Sequence, residues 1–156
     1  MKIVVDSNIV FSAILNSKSR IGQLIINGSQ FFDFYTVGLL KNEIVEHTDK
    51  ILRLTGFTQE ELNETFQLIT NRIIFVDDIL LTEKDIDKAI DLVCDIDIND
   101  AMFVALNNHL LANLWTGDKR LINGLKKKGY LRILTVDELY EIFILKQLKS
   151  RHKKKS

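Results

Sequence analysis

Four acidic side chains sit where the chain's own patterning can give them chemical work. The apolar run Ile3-Val4-Val5 stops on Asp6-Ser7-Asn8, and Leu114-Trp115 stops on Thr116-Gly117-Asp118-Lys119. Glu43 lies early in one helical pattern and Asp100 at the start of another. Carboxylates unaccompanied by any His or Cys cluster suit a hard divalent cation, Mg2+ or Mn2+ rather than zinc. Gathered without a cation they repel, by roughly 4 kcal/mol for a pair about 4 Å apart at an effective dielectric of about 20. Some of them must then bind a proton or a metal. Ser7, Asn8 and Thr116 add neutral oxygens and hydrogen-bond donors that can orient a ligand or a water. Lys119 adds a cation for a flanking phosphate.

The elements that must position these groups follow from the hydrophobic periodicity. Residues 2–5, 32–35, 73–76, 114–116 and 131–134 are short, apolar and rich in β-branched or aromatic residues, and read as buried strands. Helical spacing runs between them. Leu62, Phe66 and Ile69 follow a Thr58–Glu61 capping box; Ile86, Ala89, Ile90 and Val93 follow Thr82; Val136, Leu139, Tyr140 and Phe143 follow Thr135 and Glu138. Gly28, Gly56 and Gly129 fall where helices should stop. Strands alternating with helices predict an α/β fold, a three-layer α/β/α sandwich around a parallel sheet. In such a sheet ligands bind beyond the carboxyl ends of the strands, where strand order reverses. Asp6 and Asp118 follow strands directly, and the helices carrying Asp100 and Glu43 begin at the same edge. Topology therefore predicts one rim for all four acids.

Each acid taken singly also fits an ordinary structural role. Asp6 can begin a turn, Asp118 can cap the helix through Leu121 and Leu125, and Asp100 can favour the positive end of its helix dipole. Glu43 follows the polar face of its helix with Glu46, His47 and Lys50. Asp97, three residues before Asp100, is either a cap or a further metal ligand. His47, His109 and His152 fit no ligand spacing, and Trp115 with the nine phenylalanines reads as core.

A chain of 156 residues with 46% hydrophobic residues supports one domain, expected over residues 1–149. No apolar run approaches the ~18–20 residues that span a bilayer, and Met1-Lys2 leads straight into a strand, so no signal peptide and no membrane association are expected and a cytoplasmic location is. Cys94 lies on the apolar side of a helical pattern and is expected in the core. The formal net charge of zero hides an asymmetry: residues 146–156 hold six of the 21 basic residues and no acid. Residues 150–156 are expected to form a basic, disordered tail. Such polarity also serves to hold anions.

The segments VVDSNIVFSAIL, LLKNEI, DINDAMFVAL and LWTGDKRL, in that order, resemble the PIN-domain nucleases across essentially the whole chain. The resemblance implies a Rossmann-like PIN fold with strand order 3-2-1-4-5. It also implies that Asp6, Glu43, Asp100 and Asp118 are catalytic acids binding one or two Mg2+ or Mn2+ ions. Bacterial and archaeal members, such as the VapC type, are commonly toxins of toxin-antitoxin pairs that cleave RNA and often dimerise. The expected activity is therefore metal-dependent endoribonuclease cleavage of single-stranded or structured RNA, with a small antitoxin and a second copy of the chain as partners. TGDKRL, GLKKKGY and LTVDEL are similar to a subgroup known only as predicted ribonucleases. Two other readings stay open: a PIN-like scaffold that binds RNA or protein without cutting, and an aspartate phosphatase or phosphoacceptor using Asp6. The second wants an aspartate two residues later, where this chain has Asn8.

Overall fold

The computed structural model describes residues 1–155. Five parallel strands, β1 (Lys2–Val5), β2 (Asp33–Val37), β3 (Ile73–Val76), β4 (Asn113–Trp115) and β5 (Ile133–Leu134), form one sheet in the order β3-β2-β1-β4-β5. The expected strand order and α/β/α class are thus those observed. The last strand is shorter than expected, because Leu131 is 78% exposed and contributes nothing to the sheet.

Helices α1 (Ser7–Leu15) and α2 (Arg20–Gly28) join β1 to β2. Three more, α3 (Leu39–Glu46), α4 (Thr48–Thr55) and α5 (Gln59–Thr70), lead from β2 to β3, and α6 (Glu83–Val93) and α7 (Ala101–Leu110) from β3 to β4. Finally α8 (Lys119–Lys127) connects β4 to β5, and α9 (Val136–Lys155) follows. One helical layer has α1 packed against α2, α4 and α5, with α9 on α2; the other has α6 packed against α7 and α8. Ile3, Val4 and Val5 are fully buried between the layers, so the central strand reads as a continuous apolar run. No helix among the described residues is long and apolar enough to cross a membrane.

The capping residues act as their spacing predicts. Thr58 with Glu61 and Thr82 with Asp85 form reciprocal capping boxes, and Thr135 with Glu138 exchanges the same pair of bonds. Gly56 closes α4 at φ 71°, a left-handed conformation that favours glycine.

Two expectations change. Cys94 is exposed rather than in the core: it terminates α6, and its thiol turns back to the Asp91 carbonyl while Val93 takes the buried position. Residues 150–155 continue α9 as helix, where an unstructured tail is expected. No glycine or proline interrupts the segment, lysine and arginine are good helix formers, and cations at a helix C-terminus complement its dipole. Ser156, the last residue of that expected tail, lies outside the described residues.

The turn between α1 and α2 packs closely on Gly22, whose added Cβ would lie 2.3 Å from the Ser17 carbonyl oxygen. Alanine favours a helix interior by about 1 kcal/mol over glycine, but a backbone clash of this kind costs about 1–3 kcal/mol. Gly22→Ala should therefore be neutral to destabilising by up to about 2 kcal/mol in chemical denaturation; a clear gain in stability would show that the turn yields freely.

Candidate metal centre at the carboxyl edge

The register that aligns Val5 with Trp115 sets the next residues, Asp6 and Thr116, side by side as the two strands leave the sheet. The Asp6 backbone N–H donates to the Trp115 carbonyl at 3.0 Å, extending the pairing by one step. Asp6 is 1% exposed and Thr116 fully buried. The Thr116 hydroxyl donates to Asp6 Oδ2 at 2.6 Å, Asn8 Nδ2 donates to the same oxygen at 3.3 Å, and the Ser7 N–H donates to Oδ1 at 2.8 Å. Asp6 is thereby the N-cap of α1. Burial pushes its carboxyl above the ordinary value, opposed by the bonds from Thr116 and Ser7 and reinforced by the charge of Asp118.

Thr116 ties the second acid to the first. Its Oγ1 accepts the Asp118 N–H at 3.1 Å and Asn8 Nδ2 at 3.3 Å, and Asn8 Oδ1 accepts the Gly117 N–H at 3.2 Å. Asp118 Oδ1 in turn accepts the N–H groups of Arg120 and Leu121, at 2.9 and 3.2 Å, and caps α8. Lys119 is the first residue of that helix and is exposed. The capping roles of Asp6 and Asp118 are real, and they hold both carboxylates rigidly at the edge.

Asp100 differs. It precedes α7 but makes no side-chain capping bond, and its Oδ2 is buried without a hydrogen-bond partner. Its carboxyl is pushed up to about 7, first by desolvation and then by the negative charges of Asp6, Asp97 and Asp118. Asp97 is occupied in part: its side chain accepts the Asn99 N–H at 2.9 Å at the start of a short 3-10 turn. The alternative of a capping role thus holds for Asp97, and its charge still reaches Asp100.

Glu43 is reached from β2, within two turns of that strand's carboxyl end. It is exposed on α3 and lines a groove of about 340 Å³ with Phe11, Leu15, His47, Lys50 and Leu54. The charges acting on Asp100 are those of the three aspartates. Among the described residues no group of three or more His, Cys, Asp or Glu side chains is already disposed to hold a metal ion. The donor set nevertheless suits one: oxygen ligands only, two carboxylates fixed by caps, and a third with an orphaned buried oxygen facing like charge. Sequence reasoning missed Thr36, whose hydroxyl on β2 donates to the Val5 carbonyl at 2.7 Å and fixes the strand end just before Asp6. A buried threonine at the carboxyl end of a strand was the available signal.

A family model described as PIN domain matches residues 4–141. Among solved structures, a chain of the crystal structure of VapBC2 from Rickettsia felis bound to a DNA fragment from their promoter is similar in fold, with a TM-score of 0.59 and 14% sequence identity, covering 86% of this chain and 97% of that one. No curated protein matches the chain significantly.

Thr116→Val keeps the shape but removes the donor to Asp6 and the acceptor for Asp118. It should cost about 1–3 kcal/mol in denaturant unfolding and raise the Asp6 pKa further; wild-type stability would contradict the tie. Asp100 predicts a pH dependence. Its proton is bound up to about pH 7 in the folded protein and only near 3.8 in the unfolded chain. Its contribution is therefore fully present below the unfolded value and lost as pH rises through about 7. The thermal midpoint of metal-free wild type, relative to that of Asp100→Asn, should rise between pH 8 and pH 5; a constant difference would contradict the shift.

Proposed function

Since the chain belongs to the PIN-domain family, whose model spans residues 4–141, we propose that it is a Mg2+- or Mn2+-dependent ribonuclease that hydrolyses phosphodiester bonds in single-stranded RNA. The observation that carries this reading is Asp100, with its partnerless buried oxygen set against Asp6 and Asp118. Asp6, Asp100 and Asp118 would hold the cation, with Glu43, on the neighbouring groove, as the fourth ligand and Asp97 as a fifth. Such an ion, when bound, neutralises phosphate charge and lowers the pKa of a water.

The chain's own residues supply position and electrostatics. Thr116 and Asn8 hold Asp6 Oδ2, and Ser7 holds Oδ1, so this carboxylate cannot turn away from the rim. The N-terminal N–H groups of α8 fix Asp118 in the same way. Asp100 is the adjustable member: protonated alone near neutral pH, ionised when a cation offsets its neighbours. Lys119 and Arg120, exposed at the start of α8, lie beside the rim where a flanking phosphate would pass. The phosphatase reading is disfavoured, because it wants a second aspartate two residues after Asp6, where this chain has Asn8 bonded to Asp6.

The proposed setting is the cytoplasm, with the chain acting as a homodimeric toxin restrained by a small antitoxin. The fold likeness to a VapBC2 structure supports that setting. The second reading is a scaffold that binds RNA without cutting, which the exposed cations Lys119 and Arg120 beside the rim fit equally.

RNA cleavage should require added Mg2+ or Mn2+ and fall by about 100-fold or more in folded Asp6→Asn and Asp100→Asn proteins, since each removes a ligand of the catalytic ion. Full activity in either would reject the site. Calorimetric Mn2+ titration, with Asp100→Asn as control, separates nuclease from scaffold: heat in the wild type alone supports the former, and none in either the latter.

A further inference from the structure

The basic end of the chain does not border the acidic rim. Strand β5 delivers α9 at the carboxyl edge of the sheet, and the helix then runs back along α2: Asp137 pairs with Arg20, Tyr140 lies under the same guanidinium, and Phe143 meets Phe31 edge-on at 5.9 Å. Phe31 precedes β2 by two residues and so marks the opposite, amino edge. At about 1.5 Å per residue, Lys155 stands about 18 Å beyond Phe143. The cations of residues 146–155 therefore project from the edge opposite Asp6, Asp100 and Asp118.

These cations differ from the chain's other lysine run. Lys126 pairs with Glu138 and Lys128 with Asp95, so that run is partly neutralised within the fold. Among the described residues no acid pairs with Lys146, Lys149, Arg151, Lys154 or Lys155. Where the helix leaves the body, half-buried Phe31 floors a hollow edged by Lys146, Lys149 and Lys154. An aromatic face among cations suits a stacked base with its phosphates. Beyond Leu148 no apolar residue follows, so residues 149–155 offer no apolar face to a lipid surface. A polyanion complements this surface best.

We propose that residues 146–155 of α9, with the hollow at Phe31, form a second RNA-binding surface that holds the flank of a substrate long enough to reach the acids at the far edge. The identity of the polyanion rests on the ribonuclease reading above. The preferred substrate is then a long RNA, anchored at one edge of the sheet and cut at the other.

The test is binding of fluorescent RNAs of about 8 and about 30 nucleotides to the full chain, carrying Asp100→Asn to prevent cleavage, with and without Lys149→Gln, Arg151→Gln, Lys154→Gln and Lys155→Gln. Four lost phosphate contacts should reduce the slope of log affinity against log salt by about 3 for the long RNA and abolish the gain in affinity with length. Equal slopes and equal length dependence overturn the proposal. So does a variant that binds RNA normally but loses a hold on phosphatidylglycerol vesicles. Binding is read without cleavage, and cleavage is read separately on the chain that keeps Asp100, so the two readings fail separately: a changed slope with no cleavage by the Asp100 chain removes the nuclease and keeps the surface, whereas cleavage by that chain with an unchanged slope does the reverse.

Discussion

The site depends on one non-local constraint, the parallel pairing of β1 with β4. Residues more than a hundred positions apart are brought into register by Val5 and Trp115, and the next pair, Asp6 and Thr116, inherits that alignment. The 2.6 Å bond between them is the first contact beyond the sheet. Loop closure over such a separation is entropically costly, and the buried apolar faces of β1 and β4 supply the compensating free energy. Once the pairing exists, a single threonine oxygen serves three partners, Asp6, Asn8 and Asp118. Two helix caps and the neck of the acidic rim are thus one hydrogen-bonded unit.

That unit explains why the aspartates divide their roles. Asp6 and Asp118 stabilise the fold by capping α1 and α8, so their negative charge is fixed in place for reasons independent of any ligand. Asp100 receives no cap bond and meets their field. A carboxyl in that position has two low-energy states, protonated or beside a cation, and among the described residues no lysine or arginine forms an ion pair with it. The arrangement is strained in the electrostatic sense only; the backbone around it is ordinary.

Strands and capped helices were legible because their signals are local. Ile3 to Val5 is apolar on both faces, as a central parallel strand must be, and Thr58–Glu61 and Thr82 are caps readable within a few residues. Residues 7–28 were harder. Helix α1 buries Ile9, Val10, Ala13 and Ile14, so its sequence is apolar nearly all round and carries no clear period. The convergence of Asp6, Asp100 and Asp118 was inferable from strand polarity, since all three lie at carboxyl ends or at the start of a helix that leads into a strand. Glu43 could be placed only to within two turns of the β2 carboxyl end, because α3 carries no side-chain cap that fixes where it begins. The exposure of Cys94 and the helical course of residues 150–155 depend likewise on where a helix stops, which composition alone does not fix.

The central claim is that Asp100 is a carboxyl whose pKa is raised by burial and then by its acidic neighbours, and which a cation ionises. Carbon-13 NMR titration of its carboxyl, with and without saturating Mg2+, tests this directly. The account predicts a midpoint of about 7 in the metal-free protein and a fully ionised carboxylate across the same pH range when Mg2+ is present. An ordinary midpoint without metal, or a titration that Mg2+ leaves unmoved, would contradict it.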